Sequence, residues 1–472
     1  MADQQSLHRE QLADDQLQGG SGQGLSQRTE TDTSVVLRSQ ARAGAWWSRW
    51  RSPLLFAGLA ALLTPLAYLF NMEGPIDPTN YSERTKRVLC GTPLIDGHND
   101  LPWQLRIELH NRLYDNKVDF TQRLLGHTDL LRMQQGQVGG QFWSVYVDCD
   151  VAQQHFEDPS WVVRDALEQI DVTRRFIEQH PKHLAYCDNA ACVRKEFRAG
   201  RISSMIGIEG GHLLGGSIAA IRQMHNLGAR YITLTHNCDT AWGTSASTVA
   251  AGHPDKGLFT LGAQAMMRDV MSIVRAPVIF SHSGAYSVEP HLRHVPDDVL
   301  RSVKKNNGIV MATFVNRFLN MKNPEQATIH DVVDHILYIA ELIGWEHVGI
   351  GSDFSGTPHV PLGLEDVSKF PDLIELLMKR GANDDQIRLL AGDNILRVWA
   401  EVEERAREIQ ATGELPVEEE YEGKKWHKGL KDSPWMLRQS RTEAQTNGAA
   451  DKPYMFNVDN EGKHNPLVKN NP

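Results

Sequence analysis

No two of the five cysteines in this 472-residue chain (Cys90, Cys149, Cys187, Cys192 and Cys238) form a CxxC pair, which argues against a knuckle-type structural zinc site. No long basic run interrupts the globular part, and the formal charge is −10. Nucleic-acid binding needs clustered Lys and Arg, so it is not expected. The stretch 413–472 has no hydrophobic segment. A lipid-anchor signal of the kind that ends in an apolar tail is therefore absent, and 409–472 reads as a polar tail, partly disordered. Residues 1–45 have no apolar period and are rich in Gln, Ser, Gly, Asp and Arg, the composition of a disordered leader.

One long uncharged run is present. Residues 53–70 (PLLFAGLAALLTPLAYLF) carry no charge over eighteen positions, close to what a bilayer core of ~30 Å requires. Tryptophans in WWSRWRS (46–52) suit the interface. Arg38, Arg42, Arg49 and Arg51 lie N-terminal to the run, so the expected topology is a cytosolic N-terminus (1–52), a single-pass type II anchor (53–70), a linker (71–87) and a luminal or extracellular body. A cleaved signal peptide is the rival reading, and the long polar leader speaks against it. On the luminal side the sequon at Asn80 would accept a glycan and an oxidising compartment would permit disulfides. The odd cysteine count leaves one thiol free or paired between chains.

Apolar residues make up 41% of the chain, enough for a large core. Between 88 and 408, short β-rich runs alternate with helical stretches. The runs are 93–100, 141–149, 202–211, 229–236, 276–282, 308–315 and 347–354. Each is continuous, of strand length, and ends in polar residues, as buried parallel strands do. Residues 331–343 have the spacing of an amphipathic helix, and 371–381 opens with Pro371 and closes with Gly381. Polar chemistry at the C-terminal ends of successive strands is the pattern of a (β/α) barrel. Seven strands are legible where eight are needed. Residues 237–262 have no strand or helix pattern, an unusually long stretch for a compact domain.

The strand ends carry His98 and Asp100, two apart and so on one side of an extended chain, then Glu209 before two glycines, His236, His282 and Asp353. An imidazole and carboxylate set of this kind is metal-ligand chemistry, and a carboxylate such as Glu209 can bridge two ions. Any one of them could be structural; a strand-end Glu, for instance, can simply cap a helix. His212 fits a supporting role better than a ligand role.

The motifs LIDGHNDLPW (94–103), IGIEGGH (206–212), ARYITLTHNC (229–238), RAPVIFSHS (275–283), VPDDVL (295–300), VGIGSDF (348–354) and GLEDVSKFPDL (363–373) resemble those of the membrane dipeptidases, a family of zinc peptidases, over about 85–405. The resemblance implies a (β/α)8 TIM-like barrel with two zinc ions bridged by a glutamate, hydrolysing dipeptides with free amino and carboxyl ends. It implies His98 and Asp100 as ligands of one zinc, Glu209 as the bridge and His282 as a ligand of the other. It casts His236 as the stabiliser of the oxyanion, Arg293 as the clamp for the substrate carboxylate, and Asp353 as the group that holds the amine and moves protons. Cys149 and Cys238 match a disulfide of animal relatives; Cys187 and Cys192 do not. A homodimer is a further expectation.

The chain departs from the family at one place. Relatives have a strand ending in an Asp-Leu-Ser-His-like motif twenty-one residues before the His of FSH, and that earlier His is the other ligand of the second zinc. The equivalent position here is Leu261, without such a motif. About twenty residues, the whole fifth strand unit, are missing. His253 is the only histidine of that interval that could substitute. Without a substitute, the alternative to a dipeptidase is a catalytically impaired membrane-anchored barrel. A smaller departure is Ser355, where many relatives have an Asp.

Overall fold

A computed structural model of the chain describes residues 76–115, 117–149, 160–240, 243–252 and 262–418. The expected anchor at 53–70, the leader before it, His253 and the tail beyond 418 lie outside the described residues. Among the described residues no helix is long and apolar enough to cross a membrane.

Eight strands form one parallel sheet: β1 (Leu94–Asn99), β2 (Val138–Tyr146), β3 (Leu184–Tyr186), β4 (Ile202–Glu209), β5 (Ala229–Thr233), β6 (Ile279–Ser283), β7 (Ile309–Ala312) and β8 (Val348–Ile350). The ladders run β5–β4–β2–β1–β8–β7–β6. β3 pairs with Ile202–Ser204 on the β4 edge that β5 continues from Ile206 to Glu209. Seven of the eight coincide with the apolar runs of the sequence. β3 was not expected, because three residues are too few to make a run.

No ladder joins β5 to β6 among the described residues. This is where the sequence lacks a strand unit, and burial follows it. Every residue of β1, β4, β7 and β8 is buried, whereas β5 beyond Ala229 and the first two residues of β6 are only half-buried. The interval between them, patternless in sequence, holds a short helix after all, Ala246–Ala250, its first turn capped by the Ser245 side chain accepting from Thr248 N–H. Five residues with none buried leave no apolar period to detect. The helix Gly262–Ile273 then runs beside the gap. A cleft of about 370 Å³ remains between β5, this helix and β6.

Two expected helices form. Ile329–Ile343 starts two residues before the expected point, because Thr328 and Asp331 make a reciprocal capping box. Phe370–Lys379 has Pro371 in its first turn, where a missing N–H costs nothing. The last described helix, Asn394–Ala411, packs Ile395, Leu396 and Trp399 with Ile95, Phe142, Met205 and Met311 of the strands. Burying each of these large side chains contributes about 1.5–3 kcal/mol.

Candidate metal centre

Glu209, at the end of β4, is the hub of the site. Its Oε2 lies 3.1 Å from His98 Nε2 and accepts a 2.9 Å hydrogen bond from Ser144 Oγ of β2. Its Oε1 lies 3.4 Å from His282 Nε2 and 3.6 Å from His236 Nε2. His98 Nε2 is also 3.5 Å from Asp100 Oδ2 and 4.0 Å from Asp353 Oδ1. The His98 and His282 ring centres are 4.0 Å apart. Side chains separated by up to 255 positions thus converge at one end of the sheet.

Hydrogen bonds set the orientation of both inner histidines. Tyr231 donates its one hydroxyl hydrogen to Gly97 O, so at 3.0 Å from His98 Nδ1 it accepts from Nδ1–H. The Nε2 electron pair is therefore turned toward the carboxylates. Gly207 makes this possible, since a Cβ there would collide with the Tyr231 ring. At His282, Arg293 Nη2 can only donate, so Nε2, 2.9 Å away, accepts, and Nδ1–H points to Ser281 Oγ at 3.0 Å.

Three carboxylates are buried together, and the charges respond. Burial alone would lower His98, but the charges around it, Glu209 foremost, outweigh it and raise the imidazole well above its ordinary value. Burial would raise Glu209, but His98 and then His236 hold it well below the usual range. Burial and the neighbouring Asp100 push Asp353 well above it. His282 is driven well below the ordinary imidazole value by burial and by His98, and burial brings His236 down to about 3. The centre calls for one positive charge beside His98 Nε2, which a proton or a metal cation can supply.

The donor set fits a metal. His98 Nε2 and both Asp100 carboxylate oxygens are buried without a well-directed hydrogen bond, an expensive state unless another partner completes them. Two ligand groups, His98–Glu209–His282 and His98–Asp100–Asp353, each bring their donor atoms within 4.8 Å of one another, and imidazole with carboxylate suits zinc. The supporting bonds from Tyr231, Ser144 and Ser281 are of the kind that orient metal ligands.

Above the buried histidines lies a cavity of about 210 Å³, lined by Asp100, Glu209, His236, Arg293, Arg317 and Asp353. Arg293 rests over the Phe318 ring, 4.9 Å from its centre. Asp353 holds a left-handed backbone (φ 65°), strain of the sort concentrated at functional sites. Gly356 closes against it, since a Cβ there would strike both Asp100 Oδ2 and Asp353 Oδ1. Ser355 instead bonds Thr128 Oγ1 at 3.3 Å.

Cys149 and Cys238 are paired, with Cα atoms 5.3 Å apart, and Cys149 Sγ lies 3.9 Å from His236 Nδ1. Cys187 and Cys192, which had no assigned state, form a second pair, and Cys90 is free and exposed. His212 is buried and supports the loop, its Nε2 2.8 Å from Val147 O. Asn80 is exposed, far along the chain from the centre, and its side chain caps the helix Tyr81–Gly91 by accepting from Glu83 N–H. Sequence reasoning missed Ser144, Tyr231 and Ser281. All three lie within or beside the strand-end motifs, but hydroxyls carry no ligand signature, and only the fold shows which ones face a histidine or Glu209.

A buried imidazole–carboxylate cluster at the strand ends of a parallel sheet defines the class, a candidate metal-dependent enzyme. The membrane dipeptidase pattern, peptidase family M19, matches residues 82–266 and 262–413, in two segments that meet beside the gap. A Schizosaccharomyces pombe protein described as an uncharacterized dipeptidase is 43% identical over 368 residues, covering 73% of this chain and 88% of its own. Among solved structures, a probable dipeptidase from Pseudomonas aeruginosa aligns at TM-score 0.60 and 17% identity over 70% of this chain and all of its own. A metallopeptidase from Rhodobacter sphaeroides, liganded with a phosphinate mimic of the dipeptide L-Ala-D-Ala, aligns at 0.55 and 24% over 66% and 99%. These two likenesses concern the fold. The chain belongs to the membrane dipeptidase family and is a metallopeptidase of that type.

Proposed function

We propose that the chain is a zinc-dependent dipeptidase, releasing free amino acids from dipeptides, on a (β/α)8-type barrel whose fifth strand unit is missing. The observation that carries this reading is the convergence on Glu209 of His98, His236 and His282, with Asp100 and Asp353 beside them. His98, Asp100 and Glu209 would hold a first zinc, and Glu209 with His282 a second, once Arg293 releases His282 Nε2 to turn to the substrate. Zinc there would polarise the scissile carbonyl and ease deprotonation of the attacking water.

The remaining roles fall to side chains around the cavity. Arg293 offers a planar fork to the substrate carboxylate. His236, kept neutral by burial, offers an Nε2–H to the developing oxyanion without adding a charge. Asp353, with its raised affinity for a proton, exchanges one with the departing amine. The dipeptide named in the Rhodobacter sphaeroides structure and the dipeptidase description of the yeast relative support the substrate class.

Zinc content and hydrolysis of the purified full chain test this. Expected are retained zinc, cleavage of Ala-Gly, and no cleavage when either end is blocked by acetyl or amide. A chain that retains no zinc and, reloaded, cleaves no dipeptide would instead be a scaffold. The anchor at 53–70, the luminal body and a glycan on Asn80 complete the reading on sequence features alone. Protection from protease added outside sealed vesicles, and a glycosidase-sensitive mass, are the expected results.

A further inference from the structure

We infer that the open stave between β5 and β6 is a side-chain subsite, which receives a large, preferably aromatic side chain on the C-terminal residue of the substrate. The inference rests on the dipeptidase reading and adds a specificity to it.

The cleft and the catalytic cavity share His236 and Arg293 in their walls. The two spaces therefore border the same two residues, one of them the arginine that would bind the substrate carboxylate. The Cα of the residue held by that carboxylate is one bond from it, so its side chain starts beside that arginine. Away from it the cleft is apolar: Ile232 on β5, Met267 and Val270 on the helix Gly262–Ile273, and Phe280 on β6 line it. Methionines accommodate varied shapes and favour aromatic rings. At about 370 Å³ the cleft is roomier than the 210 Å³ catalytic cavity beside it. A charged side chain would meet no counter-charge among the apolar lining and would lose its hydration.

The space exists because no strand pairs β5 with β6 among the described residues. A paired strand there would fill it, so the preference would belong to the shortened chain.

The test uses the zinc-loaded full chain and phosphinate dipeptide mimics with a methyl or a benzyl C-terminal side chain, measured by calorimetry. Hydrolysis of Ala-Ala and Ala-Phe is followed in parallel. The benzyl mimic is expected to bind at least tenfold tighter, as burial of an aromatic side chain implies. Ala-Phe is expected to exceed Ala-Ala in kcat/KM by a similar factor. Val270→Trp, filling the cleft from the helix, and Ile232→Trp, filling it from β5, should each erase the difference while Ala-Ala is still cleaved. Equal binding of the two mimics by the unaltered chain would overturn the subsite and leave the dipeptidase reading standing; it would mean the chain itself occupies the cleft. Binding of neither mimic, with no dipeptide cleaved, would overturn both.

Discussion

The two sides of the sheet differ in how they hold the same site. On the closed side, β1, β2, β4 and β8 are paired on both edges and buried. Asp96 ties β1 to β8, accepting from Ser352 N–H at 2.8 Å and Ser352 Oγ at 2.7 Å, and ties β1 to β2 through Gln141 Nε2 at 3.0 Å. That side supplies His98, Asp100, Glu209 and Asp353. On the open side, β5 and β6 each have one edge unpaired among the described residues and supply His236 and His282. Each is held by one ladder, β5 to β4 and β6 to β7, and by tertiary props: the Cys149–Cys238 pair near His236, Ser281 and Arg293 on His282, and His335, whose Nδ1 accepts from Ala285 N–H just after β6 at 2.9 Å. A complete ligand set can thus stand on one half of a fold while the other half stays open.

The largest expected effect separates the two sides directly. Glu209→Gln should strip zinc and reduce turnover by about a thousandfold or more, the several kcal/mol that metal polarisation supplies. His282→Gln should cost markedly less, since the second ion proposed there would have two protein ligands among the described residues, Glu209 and His282. Metal analysis and kcat/KM of the two variants decide, and equal losses would mean the second site is as well built as the first.

Disulfide removal comes next. Cys149–Cys238 spans 89 positions and reaches to the open side, whereas Cys187–Cys192 spans five. The chain-entropy estimate gives about 4.6 kcal/mol for the first and about 2 for the second. Denaturant melts of Cys149→Ser and Cys187→Ser should show that order, and the reverse order would remove the long disulfide from the props of the open side.

Backbone exchange offers a test without substitution. Amides in the β2–β4 ladder should exchange only with global unfolding, while those of the free β5 and β6 edges should exchange at least a hundredfold faster. Equal protection would show the gap to be covered.

The smallest expected effect is on pH dependence. Burial first, then His294, brings His335 down to about 3, against ~6.5 in an unfolded chain. Between those values the unfolded state binds the extra proton, so this stabilisation is complete above pH 6.5 and is lost as pH falls. From pH 6.5 to 5 the loss from this residue is about 2 kcal/mol. His335→Gln keeps an acceptor for Ala285 N–H, and its Tm should fall less steeply over that range than that of the unaltered chain.

The candidate ligands were legible because strand-end carboxylates and imidazoles stand in local motifs, and the fold brings those motifs together. The lack of a β5–β6 ladder among the described residues was legible too, as a stretch without strand pattern at 237–262. What escaped notice depends on distance in the chain. Tyr231 orients His98 from 133 positions away, and His335 props a loop 50 positions before it. β3 and Ala246–Ala250 escaped for a different reason: three and five residues are shorter than one period of any pattern.

The missing ladder also divides the strands into two groups, which share one hydrophobic core but little of the sheet. Cutting between Gly252 and Gly262 breaks no strand pairing among the described residues. The piece before the cut holds β1 to β5, and the piece after it holds β6 to β8. Between them the only strand ladder among the described residues is β1–β8. The first piece brings His98, Asp100, Glu209 and His236, and the second His282, Arg293 and Asp353. Neither half alone can make the centre, so bound zinc and peptidase activity would report their reassembly. The chain is in effect a ready-made pair of complementing fragments, joined by a covalent link that its sheet does not need.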